Sequence, residues 1–431
     1  MGITDLDDVR VMSCLARKNF FMSHIAVIGA GITGVTTAYA LIEKGHSVTV
    51  FDRQRYAAME TSYANGGQLS ASNAEVWNHW STVLKGIGWL FRRDAPLSLN
   101  LTPSWHKYSW LAEFVGNIPN YRSNTIATTR LAIAARQHLL GMAQKAGVDF
   151  DVEQRGILHI YHDAKGLDVA TRANALLVEG GLSRDAVSAE EIRHIEPALQ
   201  GKYAGGFFTP SDFTGDIHKF TRGVMAYCER MGASFVNDAD VSKLAASPDG
   251  VDVSWSTTGE AHHVETIRFD GVVICAGVAS RHLAAQLGDR VNVYPVKGYS
   301  ITVELNDTEN QRAAPWVSLL DDKAKIVTSR LGTNRFRVAG TAEFNGANRD
   351  IRADRVQPLI DWTRKLFPGI DTSRVIPWAG LRPMMPDMMP RVGPGRKPRV
   401  FYNTGHGHLG WTLSAATAQI VADQVSSGMP A

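Results

Sequence analysis

The chain has 431 residues, of which 44% are hydrophobic and 20% are charged, values that exclude the disordered, collagen-like and disulfide-scaffold classes. Its length predicts two or three domains, because single cores stop growing near about 250 to 300 residues. The net charge of +3 is too small for a protein that binds a phosphate backbone, so nucleic acid is not an expected partner.

The cysteines and the hydropathy pattern bear on the compartment. Cys14, Cys228 and Cys275 are odd in number and far apart, which leaves neither a disulfide framework nor a CxxC site. No run of about 18 apolar residues occurs, so no membrane-spanning helix is expected. We therefore expect a cytoplasmic protein in a reducing compartment.

The first 21 residues lack the basic-then-apolar order of a secretory signal. A second methionine, Met22, stands immediately before the first predicted strand. We expect residues 1–21 to be a largely disordered extension and the folded part to begin at Met22.

A nucleotide-binding pattern follows. Residues 24–28 are an apolar strand, 35–43 form a helix that Gly45 ends, and 47–51 form a second apolar strand that ends in Asp52. A GxGxxG motif lies between the first strand and the helix. The bare motif is weak, but strand, motif, helix, strand and acid in this order are specific for a dinucleotide.

The three glycines of the motif have separate roles. Gly29 permits the tight turn, Gly31 lets the backbone approach the pyrophosphate, and Gly34 lets helix and strand pack closely, with the helix N-terminus facing the phosphates. Asp52 can accept both ribose hydroxyls and disfavours a 2′-phosphate because like charges would meet. The cofactor is then NAD or FAD.

Three later segments have a similar character. Residues 60–68 are polar and Gly-rich, and a surface loop is the favoured interpretation when this segment is taken alone. Residues 272–277 form an apolar strand that ends in small residues, which suits either a core strand or one that closes over a nucleotide. Residues 403–412 place a glycine loop before an amphipathic helix at 413–425, a further site for electron-rich ligand atoms.

With YPVKGYS at 294–300 and GLRPMMPD at 380–387, these motifs resemble the D-amino acid oxidase superfamily of FAD oxidoreductases, and within it the bacterial D-amino acid dehydrogenases. The resemblance covers nearly all of the chain from residue 22 onward, in the same order. It implies an α/β fold with mixed α+β character, in which a Rossmann-like FAD-binding domain is interleaved with an antiparallel-sheet substrate domain. The implied boundaries are 22–76, 201–290 and 376–431 for the FAD-binding domain, and 77–200 and 291–375 for the substrate-binding domain.

The resemblance also implies the residues that contact FAD. They are Gly29, Ala30, Gly31, Ile32, Thr33, Gly34, Asp52, Arg53, Thr61, Ser62, Asn65, Gly67, Gln68, Leu69, Val241, Ala276, Gly277, Gly407, His408, Leu409, Gly410 and Thr412. Residues 61–69 would follow the pyrophosphate and the flavin ring, Val241 would contact adenine, and 407–412 would lie at the flavin pyrimidine, where a helix dipole stabilises negative charge. No cysteine occurs at 382–387, where some relatives attach flavin covalently, so we expect non-covalent FAD.

Three residues are candidates for the substrate pocket. An arginine fork suits a substrate carboxylate, and the resemblance assigns this role to Arg382, on what its neighbours predict to be a stiff loop; a surface ion pair is the alternative. Tyr299 is expected to donate a second hydrogen bond to the carboxylate, unless it is a packed sheet tyrosine. His408 either assists this clamp or hydrogen-bonds the flavin. No residue must act as a strong base, and no histidine pair has accompanying metal ligands.

Five of the ten tryptophans lie between residues 77 and 110: Trp77, Trp80, Trp89, Trp105 and Trp110, among Lys85, Arg92, Arg93 and Lys107. Packing of the substrate domain is the favoured interpretation. A peripheral contact with the inner face of the cell membrane is the alternative, because tryptophan and basic side chains suit a bilayer interface and a quinone acceptor must be reached there.

The resulting hypothesis is an FAD-dependent D-amino acid dehydrogenase. It would transfer hydride from the Cα of a D-amino acid to flavin N5, and pass the electrons to a quinone or another non-oxygen acceptor of the respiratory chain. The alternatives are an oxidase or dehydrogenase for a cyclic or N-substituted amino acid, of the D-proline, hydroxyproline or sarcosine type, and a non-catalytic flavin-binding subunit. Retention of Arg382 argues against the last of these.

Overall fold

The computed structural model of the chain describes residues 23–89, 96–259 and 263–429. The predicted disorder of residues 1–21 lies outside the described residues. Within them the chain forms two large sheets, each with its own hydrophobic core.

The strands, numbered β1 to β20 in chain order, are His24–Ile28, Ser47–Phe51, Gln68–Leu69, Leu97–Leu99, Ile157–Tyr161, Asp185–Val187, Gly205–Thr209, Phe213–Thr214, Ser234–Val236, Ala239–Ser247, Gly250–Thr257, Glu265–Phe269, Gly271–Ile274, Tyr294–Glu304, Ser318–Asp321, Ile326–Leu331, Arg335–Phe344, Val375–Met384, Arg391–Pro394 and Val400–Thr404. The α-helices, numbered α1 to α11, are Ile32–Glu43, Trp80–Trp89, Trp105–Gly116, Tyr121–Ala146, Ala164–Glu179, Ala189–Ile195, Ile217–Arg230, Ser280–Gln286, Thr308–Ala313, Ala353–Leu366 and Gly410–Gly428. Short 3₁₀ turns occur at Ala71–Asn73, Ile118–Asn120, Gly277–Ala279 and Gly407–Leu409.

The first sheet has six strands in the order β19-β20-β13-β1-β2-β9, and all neighbours except β19 and β20 are parallel. Both faces are covered, which explains why its central strands are continuously apolar. Side chains of α1, α4, α7 and α11 bury one face, and the three-stranded sheet β10-β11-β12 with α8 buries the other. This is a nucleotide-binding arrangement, because the parallel strands point their carboxyl ends at one edge.

The second sheet has nine strands and is mostly antiparallel. Its order is β18-β14-β17-β16-β15-β5-β7-β6, with β4 beside β17. One face packs on α10 through residues such as Leu359 and Trp362, which meet Tyr299 and Ile301 in a common core. The other face turns toward the first sheet, and the space between the two sheets is the cavity described below.

Most predicted elements are present with longer or shifted ends. The strands predicted at 24–28 and 47–51 have these same bounds. The helix predicted at 35–43 begins at Ile32, and the one predicted at 413–425 runs from Gly410 to Gly428. The added first turns contain glycine and threonine, whose weak hydrophobicity hides them from a pattern search although their backbone continues the helix.

Three segments differ from the implied domain boundaries. The strands Gly205–Thr209 and Val375–Met384 belong to the nine-stranded sheet, although the boundaries assign 201–290 and 376–431 to the FAD-binding domain. The end of helix Tyr121–Ala146 contributes Leu139 and Met142 to the core of the six-stranded sheet, not to the substrate domain. The cause is physical: sheet pairing and an apolar helix face depend on the partner that covers them, which sequence position does not give.

Candidate active site

A cavity of about 710 Å³ lies at the junction of the two sheets. It extends from the carboxyl ends of β1 and β2 to the face of β14, β17 and β18 that is turned away from α10. Both the motif residues and Arg382 line it. A single space therefore connects the nucleotide-binding edge of one sheet with the arginine of the other.

The glycine motif is packed as a dinucleotide turn requires. Gly29 has a φ of +106°, and a Cβ there would lie 2.7 Å from the Cys275 carbonyl oxygen. A Cβ on Gly34 would lie 1.7 Å from the Gly29 carbonyl oxygen, so no side chain fits. Gly31 lines the cavity and directly precedes the helix that begins at Ile32. Because Gly31 has no side chain, an anion in the cavity can approach the helix N-terminus.

Asp52 lies at the end of β2 and lines the same part of the cavity. Its Oδ2 accepts a hydrogen bond from the Ala30 amide at 2.5 Å, and its Oδ1 accepts one from the Gln54 amide at 2.8 Å. Burial raises the pKa of the Asp52 carboxyl, and the two amides oppose that rise. The carboxylate keeps further lone pairs for ribose hydroxyls. Arg53 beside it forms an ion pair with Glu60 at 2.8 Å.

The segment 60–68 is a loop, but the second sheet fixes it in place. The Ser300 hydroxyl donates to the Ala64 carbonyl at 2.7 Å, and the Ser329 hydroxyl donates to the Gly66 carbonyl at 2.6 Å. Buried Arg337 donates to the Asn65 carbonyl at 3.0 Å. These three bonds join the loop to the nine-stranded sheet, so the loop is held in place along the cavity.

The far end of the loop meets the C-terminal glycine segment. The Ser70 amide donates to Thr412 Oγ1 at 3.2 Å. Gln68 is buried, its amide nitrogen donates to Ser318 Oγ and to the Leu319 carbonyl, and its Oε1 has no hydrogen-bond partner among the described residues. A buried unpaired oxygen on the cavity wall fits a ligand that brings its own donor, as the flavin ring does. The residues present therefore fit FAD.

The structure brings nearly all predicted site residues to this cavity. Those that line it are Gly29, Gly31, Ile32, Thr33, Asp52, Arg53, Thr61, Ser62, Asn65, Gly67, Gln68, Val241, Ala276, Gly277, Gly407, His408, Leu409, Gly410, Thr412, Tyr299 and Arg382. Ala30, Gly34 and Leu69 do not line it. Ala30 contributes its amide to Asp52, Gly34 serves helix packing, and the Leu69 side chain is buried in the core of the six-stranded sheet.

Arg382 lies on a strand, and the prediction of a loop is wrong. It belongs to Val375–Met384 and pairs with Val296 of β14. Pro383 suggested a turn, but β18 is an edge strand, where a missing amide proton is tolerated.

The Arg382 guanidinium is a half-buried cation with little compensation from the described residues. The one hydrogen bond described for it runs from Nη1 to the Thr341 carbonyl at 3.3 Å, and burial lowers its pKa from 12.5 to about 10. At neutral pH it stays charged while its remaining donors are available to an anion in the cavity.

Tyr299 is committed elsewhere. Its side chain is 1% exposed and packs in the core on the α10 side of the sheet. The hydroxyl donates to Glu343 Oε2 at 2.6 Å, and burial together with Glu343 holds the tyrosine pKa far above its ordinary value. The alternative of a packed sheet tyrosine describes this geometry better than a donor to a substrate carboxylate.

His408 is a neutral ring beside Arg382. It stacks on Trp77 with ring centroids 4.6 Å apart, and its Nε2 lies 3.3 Å from the Asn73 carbonyl, a contact that requires the proton on Nε2. Burial and the nearby Arg382 cation lower its pKa from 6.5 to about 4. An uncharged ring adds no second cation to a carboxylate clamp.

The tryptophans of residues 77–110 divide into two groups. Trp77 and Trp110 line the cavity, and the Trp110 Nε1 donates to the Met384 carbonyl at 2.9 Å. Trp80 and Trp105 are instead 58% and 83% exposed. The side chain of Trp89 and residues 92 and 93 lie outside the described part of the chain.

Lys107 is not available to a membrane surface, contrary to its place in the predicted basic cluster. It is 3% exposed, and its ammonium donates to the carbonyls of Asn100 and Thr102.

The cavity has an apolar wall that the sequence did not reveal. Leu97, Leu99, Trp110, Phe114 and Phe344 line it near Arg382, together with Trp378 from the edge strand. These residues come from four separate elements, and only their aromatic and aliphatic character signalled a core. Their convergence depends on the pairing of β4 with β17 and on the packing of α3 against β14.

No helix within residues 23–89, 96–259 and 263–429 is long and apolar enough to cross a bilayer. The same ranges contain no cluster of three or more potential metal ligands. His406 contacts Thr417, His159 contacts Ser72 and His162 contacts Asp321.

Comparison with known proteins defines the class. The DAO family, described as FAD dependent oxidoreductase, matches residues 24–424. Over most of their length, solved structures share the fold: glycine oxidase from Geobacillus kaustophilus has a TM-score of 0.71 at 20% identity, covering 95% of this chain and 96% of the other. L-proline dehydrogenase from P. horikoshii has a TM-score of 0.72 at 16% identity, covering 95% and 94%.

The chain belongs to the DAO family of FAD-dependent oxidoreductases, and its cofactor is FAD. The predicted mixed α/β fold and the predicted cofactor are confirmed. Among similar curated proteins, D-amino acid dehydrogenase 3 of Mesorhizobium japonicum is 63% identical over 409 residues, which are 95% of this chain and 98% of that protein. D-amino acid dehydrogenase of Paramagnetospirillum magneticum is 41% identical over 413 residues, 93% and 94% of the two chains.

Proposed function

We propose that this chain is an FAD-dependent dehydrogenase of D-amino acids. The observation that carries the proposal is the Arg382 guanidinium, a half-buried cation for which a single weak acceptor occurs among the described residues, in the same cavity as the dinucleotide motif. An arginine fork binds a carboxylate through two parallel hydrogen bonds. The names of the 63% and 41% identical relatives support a D-amino acid as the substrate that carries this carboxylate.

The protein residues bind and orient the substrate. Arg382 holds the carboxylate, and the apolar wall with Leu99, Trp110 and Phe344 excludes water from the reacting carbon. Tyr299 keeps Glu343 in place behind the sheet, and His408 contributes a neutral ring packed on Trp77. The glycine motif and Asp52 would hold FAD, which would supply the acceptor for the Cα hydrogen and its electron pair. Water would hydrolyse the imino acid to a 2-oxo acid and ammonia after its release from the cavity.

The ammonium proton leaves before the hydride does, because a neutral amine stabilises the positive charge that develops at Cα. Arg382 favours this loss, since a second positive charge beside a half-buried cation is costly. His408 is uncharged at neutral pH, so it neither repels the substrate ammonium nor compensates its charge. Water can accept the proton, and no side chain need serve as a strong base.

One anaerobic experiment tests the proposal. The holoenzyme is mixed with a panel of D- and L-amino acids, sarcosine and D-proline, the flavin absorbance is followed, and oxygen is then readmitted. Bleaching by D-isomers with slow reoxidation by oxygen supports a dehydrogenase, and fast reoxidation identifies an oxidase. Absence of bleaching by any D-amino acid rejects the proposed substrate class.

The flavin is bound without a covalent link. No cysteine follows Arg382 before Asp387, and Cys228 and Cys275 are both buried, Cys275 beneath the Gly29 turn. Acid precipitation therefore releases the yellow colour to the supernatant. Colour that stays with the pellet contradicts this assignment.

The electrons pass to a quinone or another non-oxygen acceptor, and the enzyme meets that acceptor at the inner face of the cell membrane. Five exposed apolar side chains on α2, α3 and the preceding loop support this: Trp80, Leu84, Leu101, Trp105 and Tyr108. Tryptophan at such positions suits the headgroup region of a bilayer. Wild type should co-sediment with anionic vesicles, and Trp80→Ser with Trp105→Ser should not. Absence of wild-type sedimentation rejects membrane docking.

The domain assignment follows the sheets. The six-stranded sheet with β10 to β12 is the FAD-binding domain, and the nine-stranded sheet is the substrate-binding domain. The strands at Gly205–Thr209 and Val375–Met384 belong to the second domain, and the end of helix Tyr121–Ala146 packs on the first.

A further inference from the structure

Two glycines face each other across the strands that carry Arg382. Gly298 of β14 and Gly380 of β18 are register partners in the antiparallel pair. Val296 pairs with Arg382 and Ser300 with Trp378, so the glycine pair lies between these two pairs on the same face of the sheet. Of the six residues in these three pairs, all except Val296 line the cavity. The strand pair therefore has a position with no Cβ on either strand at the centre of the site.

The two long side chains that flank this gap fold over it. A Cβ on Gly298 would lie 2.3 Å from Arg382 Cζ and 2.4 and 2.5 Å from its two Nη atoms. A Cβ on Gly380 would lie 2.1 Å from the Cη2 of Trp378 and 2.6 Å from its Cζ2. The guanidinium thus lies flat on Gly298, and the outer end of the indole's six-membered ring covers Gly380.

Backbone conformation does not require either glycine. Neither has a positive φ, so alanine could adopt the same backbone at both positions. In a strand, alanine is favoured over glycine by roughly 0.5 to 1 kcal/mol. The reason for glycine at these positions is therefore the side chain that each one accommodates.

Resting on the proposed function, we propose that Gly298 is a positioning residue for substrate binding: the space above its Cα is the seat that holds the Arg382 guanidinium against the sheet with its donors toward the cavity. Gly380 provides the equivalent seat for Trp378. Because the 3.3 Å bond to the Thr341 carbonyl is the one hydrogen bond of the guanidinium among the described residues, its position depends on this seat. A methyl group at Gly298 displaces the guanidinium by more than an ångström, and the bidentate contact with a carboxylate is lost.

The test compares Gly298→Ala with the control Gly395→Ala, at a position that does not line the cavity. Neither glycine has a positive φ, and the added Cβ meets a charged group in both cases: the Arg382 guanidinium in one and the Asp289 carboxylate, at 2.6 Å, in the other. The ligand is propanoate, which is D-alanine without its amino group, and its dissociation constant is read from the flavin spectrum or from competition with D-alanine. We expect Gly298→Ala to weaken propanoate at least tenfold and to raise the KM for D-alanine by a similar factor, with kcat changed less.

The control should keep propanoate affinity within about threefold, and both variants should keep wild-type FAD content and thermal midpoint. Equal propanoate affinity in Gly298→Ala and wild type overturns the proposal, as does an equal loss in both variants. A crystal structure of Gly298→Ala gives a readout without turnover, and an unmoved guanidinium also overturns it. Wild type that D-amino acids do not reduce contradicts the proposed function instead, and the crystallographic result still decides the role of Gly298.

Discussion

Replacement of Arg382 by methionine separates binding from stability. Methionine keeps the length and the apolar packing of the stem and removes the charge and all its donors. Two charge-assisted hydrogen bonds to a carboxylate are together worth about 3 to 4 kcal/mol, which corresponds to a factor of roughly 100 to 1000 in kcat/KM. Most of that factor should appear in KM, because the contact is present in ground state and transition state alike.

The same change should not destabilise the protein. Burial lowers the pKa of Arg382 from 12.5 to about 10, which corresponds to a cost of on the order of 3 kcal/mol for keeping the cation in the fold. That figure is an upper bound, because the side chain keeps accessible surface toward the cavity. One weak bond to Thr341 is lost in exchange. The thermal midpoint of the variant should therefore equal or exceed that of wild type.

Arg337→Met is the matched control, because Arg337 is a buried arginine that donates hydrogen bonds to other residues of the protein. Its Nη1 donates to the Asn65 carbonyl at 3.0 Å and its Nε donates to Thr302 Oγ1 at 2.8 Å. This variant should lose stability and FAD affinity, because both acceptors become unpaired. Steady-state kinetics, flavin content and thermal unfolding measure all three quantities. An Arg382→Met enzyme with kcat/KM within threefold of wild type would falsify the role given to Arg382.

Further predictions concern the cofactor site and pH. Asp52→Asn should weaken FAD about tenfold to a hundredfold in reconstitution of the apoprotein, because an amide replaces one of the carboxylate oxygens that accept backbone bonds; unchanged affinity contradicts this. Gly34→Ala should reduce FAD content to roughly a tenth or less, since its Cβ falls 1.7 Å from a carbonyl oxygen, whereas Gly141→Ala on an open helix face should keep it. Burial lowers the pKa of His406 to about 3 and that of His408 to about 4. Below pH 6.5 the unfolded chain protonates both histidines, whereas the native state does not. The free energy of unfolding should therefore fall as the pH drops from 6.5 toward 4, by on the order of 3 kcal/mol at pH 4 for His406 alone. Chemical denaturation across this range measures the slope, and His406→Gln should flatten it.

The sequence predicted the nucleotide end of the site nearly completely. Gly29, Gly31, Asp52 and their flanking strands form one contiguous segment, and each requirement is local: a turn, an open helix start and an acid at a strand end. Gly34 and Leu69 do not line the cavity, because Gly34 serves helix packing and the Leu69 side chain is buried in the core of the six-stranded sheet.

The substrate end was predicted less well. Arg382 was identified from its motif, but its strand, its seat on Gly298 and its isolation from acceptors depend on β14, which lies more than 80 residues away in the chain. Tyr299 carried the same motif-level signal, yet its hydroxyl donates a hydrogen bond to Glu343 of a third strand. A hydrogen-bond partner across a sheet is set by strand register, which local sequence does not specify.

The sequence alone determined that the chain binds a dinucleotide of the NAD or FAD type, since this follows from the order of strand, glycine motif, helix and acid over about 30 residues. FAD itself, the mixed α/β architecture and the later segments at the cavity came from the resemblance to a known family. Only the tertiary structure decided which side chains face the cavity. It divided the tryptophans of residues 77–110 between the pocket and the surface, and it lowered the pKa of His408 by placing this residue in a half-buried position beside Arg382. The physical reason is that burial and charge proximity come from contacts between distant segments, and these contacts set the protonation state and exposure of each side chain.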